Sequence, residues 1–321
     1  MLILLFSEKA MIVRKYFRLD TTIRYSWKNI LYSLICSSLA WVVHVVWEQH
    51  QLDIPISVVA ILGTALSIIL GFRNTSAYER WWEARKIWGG LVNESRTFTR
   101  QALTIVDRSE VTPVLWENCE RIVRIQLAFI NALRLQLRSQ DDPKEWKDSV
   151  RKHLSEEDYN HVMSKANKAT HLGMLMGYAI KELNAHDTMD TFSYIQMDDT
   201  LTRITDLQGR AERIKHTPLP VPYDYYTMSF LAVFVFFFPF AFIEEFIEFS
   251  AAWLIVPVTV IISWIFYQIY VIGRVMSKPF AGWKTDVAMT AICTTIEIDL
   301  KEVLGESDVP ESPKPKGGAL M

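Results

Sequence analysis

Histidine and acidic side chains are the groups of this sequence best suited to acid–base or metal chemistry. The seven histidines are scattered along the chain, and of these His161 and His171 could meet in space. Neither has an obvious nucleophile or metal partner. The sequence also lacks the phosphate-loop, dinucleotide-binding, zinc-protease and serine-hydrolase motifs. It therefore predicts no catalytic residue and no enzyme activity.

A group of four acidic residues could recruit a hard cation such as Ca²⁺ or Mg²⁺. Their helical spacing spreads the carboxylates round the surface, so a solvated face is the favoured interpretation. The three cysteines are far apart and odd in number, which indicates neither a disulfide framework nor a thiolate metal site. We therefore expect no metal and no cofactor. The acidic residues are Asp187, Asp190, Asp198 and Asp199, and the cysteines are Cys36, Cys119 and Cys293.

The stretch from Ile54 to Gly90 organises the rest of the chain. Its first part, Ile54 to Phe72, is apolar apart from small hydroxyl residues and one proline. As a helix it would span roughly 28 Å, close to the thickness of a bilayer hydrocarbon core. One tyrosine and three tryptophans, mixed with arginines and a lysine, follow, as is typical of the positive side of a membrane–water boundary.

Two stripes run along this predicted helix. Gly63, Ser67 and Gly71 recur every fourth residue, which allows a neighbouring helix to approach closely. Thr64, Ile68 and Phe72 recur at the same spacing, one position round the helix. Several copies of one helix around an axis would use both stripes. An ordinary membrane helix packed against its neighbours gives the same spacing, so the pattern alone leaves both interpretations open.

Several motifs resemble the bestrophin family, especially its bacterial members. They occur in the family order from Met11 to about Leu304, so the resemblance covers nearly the whole chain. Together they are specific, whereas each alone is weak. The matching residues are Gly71-Phe72-Arg73-Asn74, Tyr78, Glu83-Ala84-Arg85, Trp88-Gly89, Thr217-Pro218-Leu219-Pro220, Tyr223, Pro279-Phe280, Ala291-Ile292-Cys293 and Ile296-Glu297-Ile298-Asp299-Leu300.

The resemblance implies a homopentameric ion channel with one pore on the fivefold axis. The family's narrow neck falls on Thr64, Ile68 and Phe72 of this sequence. Thr64 departs from the usual apolar residue and should ease wetting of the outer end of the neck. By a looser local match, Phe192 falls where the family has a second, cytosolic constriction. A core aromatic is the alternative at that position.

A second departure concerns regulation. Eukaryotic members carry an acidic calcium clasp after the fourth span, but Gly273 to Phe280 and Ala281 to Lys284 contain no carboxylate here. We therefore predict no Ca²⁺ activation through this segment. Selectivity is open, because eukaryotic members pass anions and bacterial members can favour cations. The family favours an anion channel slightly, and monovalent cation conduction is the alternative.

The predicted architecture is an all-α membrane protein whose four transmembrane helices continue into a cytosolic helical bundle. Half of the residues are hydrophobic, with 50% against 22% charged, as expected for membrane spans joined to a polar domain. The predicted segments are a cytosolic amphipathic segment (1–29), helices 1 and 2 with the neck (30–90), the cytosolic domain (91–222), helices 3 and 4 (223–273), a C-terminal helix (274–305) and a disordered tail (306–321).

Charge places the protein and its partners. Lys and Arg crowd before span one and after spans two and four, so the positive-inside rule puts both termini in the cytosol of a multi-pass inner or plasma membrane protein. Because the resemblance begins at Met11, residues 1–10 are interpreted as an upstream start or a frayed extension. A net charge of −2 implies no strongly basic surface for nucleic acid. The expected partners are other copies of the chain, lipids and permeant ions.

A non-conducting scaffold or sensor is the alternative function, and a membrane-bound enzyme is the third.

Overall fold

The computed structural model describes residues 11–12, 19–48, 54–105, 113–185, 189–283, 285–314 and 319–320. Helices form most of this described part, which confirms the predicted all-α class. The α-helices are α1 (Leu19–Trp41), α2 (Ile56–Thr104), α3 (Pro113–Leu137), α4 (Pro143–Ser149), α5 (Glu156–Met163), α6 (Lys168–Ala185), α7 (Thr191–His216), α8 (Val221–Glu248), α9 (Ile255–Met276) and α10 (Met289–Leu304).

Shorter elements complete the described chain. A π-helical turn, Val42–Val46, follows α1, and 3₁₀ turns lie at Arg151–His153 and Ala252–Leu254. Strand β1 (Met11–Ile12) pairs antiparallel with strand β2 (Ala319–Leu320). The tail that was predicted to be disordered thus contains a paired strand. Residues 1–10 lie outside the described residues.

Four helical segments are long and apolar enough to cross a membrane, which confirms the four predicted spans. Their limits differ from the predicted ones because the helices run past the apolar windows. The first begins before residue 30, and α8 continues through Pro239 to Glu248. The segments are Tyr25–Val46, Ile56–Thr104, Val221–Glu248 and Ala252–Met276.

The chain forms two compact units, with helix α2 contributing to both. The membrane-helix unit comprises Arg14–Trp81 and Pro218–Lys278. The helical-bundle unit comprises Met1–Val13, Trp82–Thr217 and Pro279–Met321. The sequence predicted divisions after residues 90, 222 and 273. The structure divides the two units after Trp81, Thr217 and Lys278.

The core of the membrane-helix unit lies between α2, α8 and α9. The buried residues of α2 follow helical spacing, so one face of the helix packs inward and the opposite face does not. Aromatic side chains from α8 and α9 fill the space against it. The principal residues are Val59, Leu66, Leu70, Leu231, Phe234, Phe238 and Tyr270.

Helix α3 is the central helix of the helical-bundle unit. Nearly every side chain from Ile122 to Leu135 is buried. Polar side chains within it are buried with partners. Gln126 Nε2 donates to Ser95 Oγ at 2.8 Å, and Arg134 pairs with Glu145 at 3.2 Å. A helix that is enclosed on all sides anchors the surrounding bundle.

Capping residues mark several helix boundaries in this unit. Asp142 accepts from the Lys144 N–H at the start of α4, and Ser155 accepts from the Asp158 N–H at the start of α5. Gly305 ends α10 with φ of 75°, a left-handed conformation that glycine adopts without strain.

Candidate functional site on helix α2

The predicted neck residues lie on an exposed face of α2. Ile68 is 55% exposed and Phe72 is 67% exposed, although both are large and apolar. Thr64 is also exposed, and its Oγ1 donates to the Ala60 carbonyl at 2.8 Å. The opposite face of the same helix carries the buried Leu66 and Leu70. The three side chains therefore share a surface that the chain does not cover by itself; their role as a neck remains a prediction.

The stripe of small residues divides into two parts. A Cβ added at Gly63 would lie 3.0 Å from the Phe234 ring, so close packing against α8 accounts for this glycine. Ser67 is exposed, and its Oγ donates to the Gly63 carbonyl at 2.8 Å. Gly71 has no atom within 4 Å of an added Cβ. Contacts within the chain therefore explain Gly63 but not Ser67 or Gly71.

Arg73, directly after Phe72, points into the membrane-helix unit. Its side chain is 3% exposed, donates from Nη1 to the Tyr270 carbonyl at 2.9 Å and stacks over the Tyr270 ring at 4.6 Å. Nη2 pairs with Asp224 Oδ1. Arg274 approaches the other oxygen of Asp224 at 4.0 Å. A charge at this depth is stable only with such partners, because an unpaired buried guanidinium is very costly.

Two further side chains of α2 bind the backbone of α9. Asn74 Nδ2 donates to the Ile269 carbonyl at 3.0 Å, and Arg80 Nε donates to the Ser277 carbonyl at 2.8 Å. Gly273 of α9 allows this approach, since an added Cβ would lie 2.0 Å from Asn74 Oδ1. We call Arg73, Asn74 and Asp224 the latch. The latch attaches the buried side of α2 to α8 and α9, while Phe72 on another side is exposed.

Sequence reasoning used Arg73 and Asn74 as family markers and as the end of a span, and it missed their anchoring role. A signal was present, because an ionisable residue at the end of an apolar helix needs a partner. That partner, Asp224, is 151 residues away in the sequence.

Phe192 lies in the first turn of α7 and is 85% exposed. The alternative of a core aromatic is therefore wrong, and the second constriction stays a prediction. Asp190 caps this helix by accepting from the Phe192 and Ser193 N–H groups. Its hydrogen bonds from Ser193 lower the pKa of the Asp190 carboxyl.

The other residues singled out for metal chemistry do not form a site in the described part of the chain. Asp198 and Asp199 are exposed, and Asp187 lies outside the described residues. The rings of His161 and His171 do meet, with centroids 6.1 Å apart. Among the residues that the structure describes, no group of three or more His, Cys, Asp or Glu could hold a metal ion.

Asp286 is a buried carboxylate of the helical-bundle unit that sequence reasoning did not identify. Its Oδ2 accepts from the Gly282 N–H at 2.6 Å and the Trp283 N–H at 3.1 Å. Burial raises the pKa of Asp286 to about 7, although these N–H groups and the cations Arg138 and Lys215 act in the opposite direction. A lone acid in a loop has no sequence pattern that predicts such burial.

Comparison with known proteins places the chain in a family. A voltage-dependent anion channel-forming protein of Ralstonia nicotianae is 29% identical over 277 residues, 86% of each chain. Its counterpart in Escherichia coli is 28% identical over 274 residues, 85% of each chain. The crystal structure of a bacterial bestrophin homologue from Klebsiella pneumoniae matches with a TM-score of 0.78 and 27% identity, covering 87% of this chain and 98% of that one. The family model for bacterial and fungal bestrophin proteins matches residues 7–302, so this membrane protein belongs to the bestrophin family.

Proposed function

We propose that this protein is an ion channel whose pore is lined by helix α2. The observation that carries the proposal is the exposed apolar face of α2, on which the side chains of Ile68 and Phe72 are both more than half exposed. The latch fixes a buried side of the helix. Relatives that cover most of the chain are named as voltage-dependent anion channel-forming proteins, which supports the same conclusion.

Rings of these side chains would act as a hydrophobic gate. Several copies of α2 around an axis would bring Thr64, Ile68 and Phe72 to the narrowest part of the pore. A narrow apolar tube loses its water column easily, and ions do not cross it when it is dry. Phe192 would form a second constriction on the cytosolic side.

The assembly we propose is a homopentamer. Ser67 and Gly71 support helix-to-helix packing between copies, because they are small, exposed and unexplained by contacts within the chain. Native mass spectrometry of the detergent-solubilised protein measures the copy number. Gly71→Leu should reduce the fraction of pentamer, whereas Gly173→Leu on helix α6, where an added Cβ also has no atom within 4 Å, serves as the control. A monomer or dimer in the wild type contradicts the proposal.

The proposed setting is the inner or plasma membrane, crossed four times, with both termini in the cytosol. Lys and Arg flank the spans on one side, and the acidic residues Glu244, Glu245 and Glu248 lie at the other end of α8. The proposed permeant ions are small anions, with chloride as the simplest. A C-terminal green fluorescent protein fusion should fluoresce, and a C-terminal alkaline phosphatase fusion should be inactive.

Conductance of the purified protein in planar bilayers tests the function directly. Wild-type protein should carry current. Its reversal potential in asymmetric KCl should lie closer to the equilibrium potential of chloride than to that of potassium. Phe72→Ala should raise the conductance, because it removes an apolar ring from the neck. Phe249→Ala is the control, since Phe249 is equally large and exposed but follows α8. Absence of current in both wild type and Phe72→Ala would contradict a channel.

A scaffold or an enzyme is not favoured. The matched relatives are named as channel-forming proteins, and the exposed apolar surface of α2 suits a pore more directly than a soluble partner. Loss of turnover of a soluble substrate on changing His161 or His171 would be required to revive the enzyme hypothesis.

A further inference from the structure

The segment of α2 inside the membrane-helix unit carries only three charged residues, Arg73, Glu79 and Arg80. The two arginines are directed into the unit, Arg73 to Asp224 and the Tyr270 carbonyl, and Arg80 to the Ser277 carbonyl. Glu79 differs, because it is exposed and has no ion-pair partner among the described residues. The acidic charge of this segment is thus presented outward while its basic charges are turned inward.

Glu79 lies on the same face of α2 as Phe72. Seven residues at about 100° each amount to about 700°, which is only about 20° short of two full turns. The rise along the helix over seven residues is about 10.5 Å. Thr75 and Ser76, which lie between them on this side, are also exposed. Whatever Phe72 faces, Glu79 therefore faces as well, two turns further along.

We infer that Glu79 is a specificity-determining residue that sets the ratio of cation to anion permeation next to the neck. The inference rests on the proposed channel function. If Phe72 forms a ring around the axis, Glu79 forms a ring of carboxylates beside it, and rings of acidic side chains attract cations and repel anions. In an anion channel this ring would oppose the passage of chloride and limit the preference for it.

The expected size of the effect follows from Coulomb's law with screening. For five carboxylates placed about 8 Å from the axis, the charges would act together, and physiological salt would screen them with a Debye length of about 8 Å. Neutralising all five should lower the permeability ratio of K⁺ to Cl⁻ by at least about fivefold. Reversing the charge should lower it further, and a shorter carboxylate should preserve it.

Reversal potentials in asymmetric KCl test this inference. We expect Glu79→Gln to shift the reversal potential toward the equilibrium potential of chloride and Glu79→Lys to shift it further in the same direction. Glu79→Asp should keep the wild-type value. Glu157→Gln is the matched control, because Glu157 is an exposed glutamate on α5, outside α2. Unchanged reversal potentials in Glu79→Gln and Glu79→Lys channels that still conduct would overturn the role of Glu79 and leave the channel function intact. Absence of current from both the wild type and Phe72→Ala would instead overturn the channel function and this inference with it.

Chemical modification of the assembled channel gives a second test that does not depend on folding of a charge variant. The three native cysteines, Cys36, Cys119 and Cys293, are buried, so a thiol introduced by Glu79→Cys would be the accessible one. A negatively charged methanethiosulfonate reagent should restore the wild-type reversal potential of the Glu79→Cys channel. A positively charged reagent should shift it further toward chloride. Identical responses to the two reagents would contradict the inference.

Discussion

Arg73 and Asp224 form an ion pair on a buried side of α2, about 100° round the helix from the exposed Phe72. The Arg73 side chain is 3% exposed and that of Asp224 is 40% exposed, so the pair reaches from the interior of the membrane-helix unit to its surface. Phe72 is the adjacent residue in the sequence but faces outward. An apolar ring can act as a gate only if its helix keeps a fixed rotation, and the latch supplies that constraint.

Asp224→Asn should therefore destabilise the protein. The change leaves Arg73 buried with the Tyr270 carbonyl but without its carboxylate, and removal of one partner of a buried pair costs about 1–3 kcal/mol when the other partner is partly solvated. Thermal unfolding in detergent measures the loss. Asp206→Asn is the control, because Asp206 is 67% exposed and lies 3.7 Å from Arg210, where a surface pair contributes less than about 1 kcal/mol.

A double-mutant cycle isolates the latch from general effects of the changes. Arg73→Met with Asp224→Asn should be less destabilising than the sum of the two single variants, with a coupling energy of about 1–3 kcal/mol. Additive effects would show that the pair does not stabilise the unit.

Gly273→Ala should also weaken the unit. The added Cβ would lie 2.0 Å from Asn74 Oδ1 and 3.0 Å from Arg73 Nη1, so either these hydrogen-bonded side chains must turn away or α9 must move away from α2, at a cost of about 1–3 kcal/mol. Gly173→Ala on α6 is the control, since an added Cβ meets nothing within 4 Å and alanine is the better helix former by up to ~1 kcal/mol. Equal melting temperatures for Gly273→Ala and wild type would contradict the close approach of the two helices.

Thr64→Val should lower the single-channel conductance. Valine has nearly the same shape but lacks the hydroxyl oxygen, whose lone pairs remain available to water while its hydrogen is donated to Ala60. We expect a decrease of about threefold, which requires a change of only ~0.7 kcal/mol in the wetting barrier. Thr64→Ser keeps the hydroxyl and should conduct like the wild type. A Thr64→Val channel with unchanged conductance would argue against a wetting role.

Calcium should not open the channel through the segment after α9. Asp286 is the first carboxylate beyond that segment, and its Oδ2 already accepts two backbone N–H groups. Bilayer currents should be the same in a chelator and in about 1 mM Ca²⁺, the upper range for protein Ca²⁺ sites. Calcium-dependent opening that is lost in Asp286→Asn would contradict this expectation.

The sequence predicts local features of this fold well and distant contacts poorly. The spans and the caps at Asp142 and Ser155 follow from composition and local hydrogen bonding, so they were predictable. Helix α2 runs on to Thr104 past the aromatic belt, because that belt marks the membrane boundary and contains no helix breaker. The latch was not predictable, because Arg73 finds its partners 151 and 197 residues away. The exposure of Phe192 was undecided for a similar reason, since one aromatic at a helix start fits either a core or a surface.

Stability should depend on pH through Asp286 in a direction opposite to that of a typical acid. Burial raises the pKa of Asp286 from an ordinary value of 3.8 to about 7, so the folded state holds a proton that the unfolded state has released between these values. Folding is therefore favoured at low pH, and this contribution is lost as pH rises toward 7. From pH 5 to 8 the loss amounts to about 2–3 kcal/mol.

The comparison that isolates this effect is wild type against Asp286→Asn. Asparagine keeps an oxygen acceptor for the Gly282 and Trp283 N–H groups but does not titrate. This comparison is needed because His153 has the opposite effect on stability. Burial lowers the pKa of His153 to about 3, so its contribution to stability is lost as pH falls below 6.5. The melting temperature of Asp286→Asn relative to that of the wild type should increase as pH rises from 5 to 8. Parallel curves for the two proteins would show that Asp286 ionises normally in the folded state.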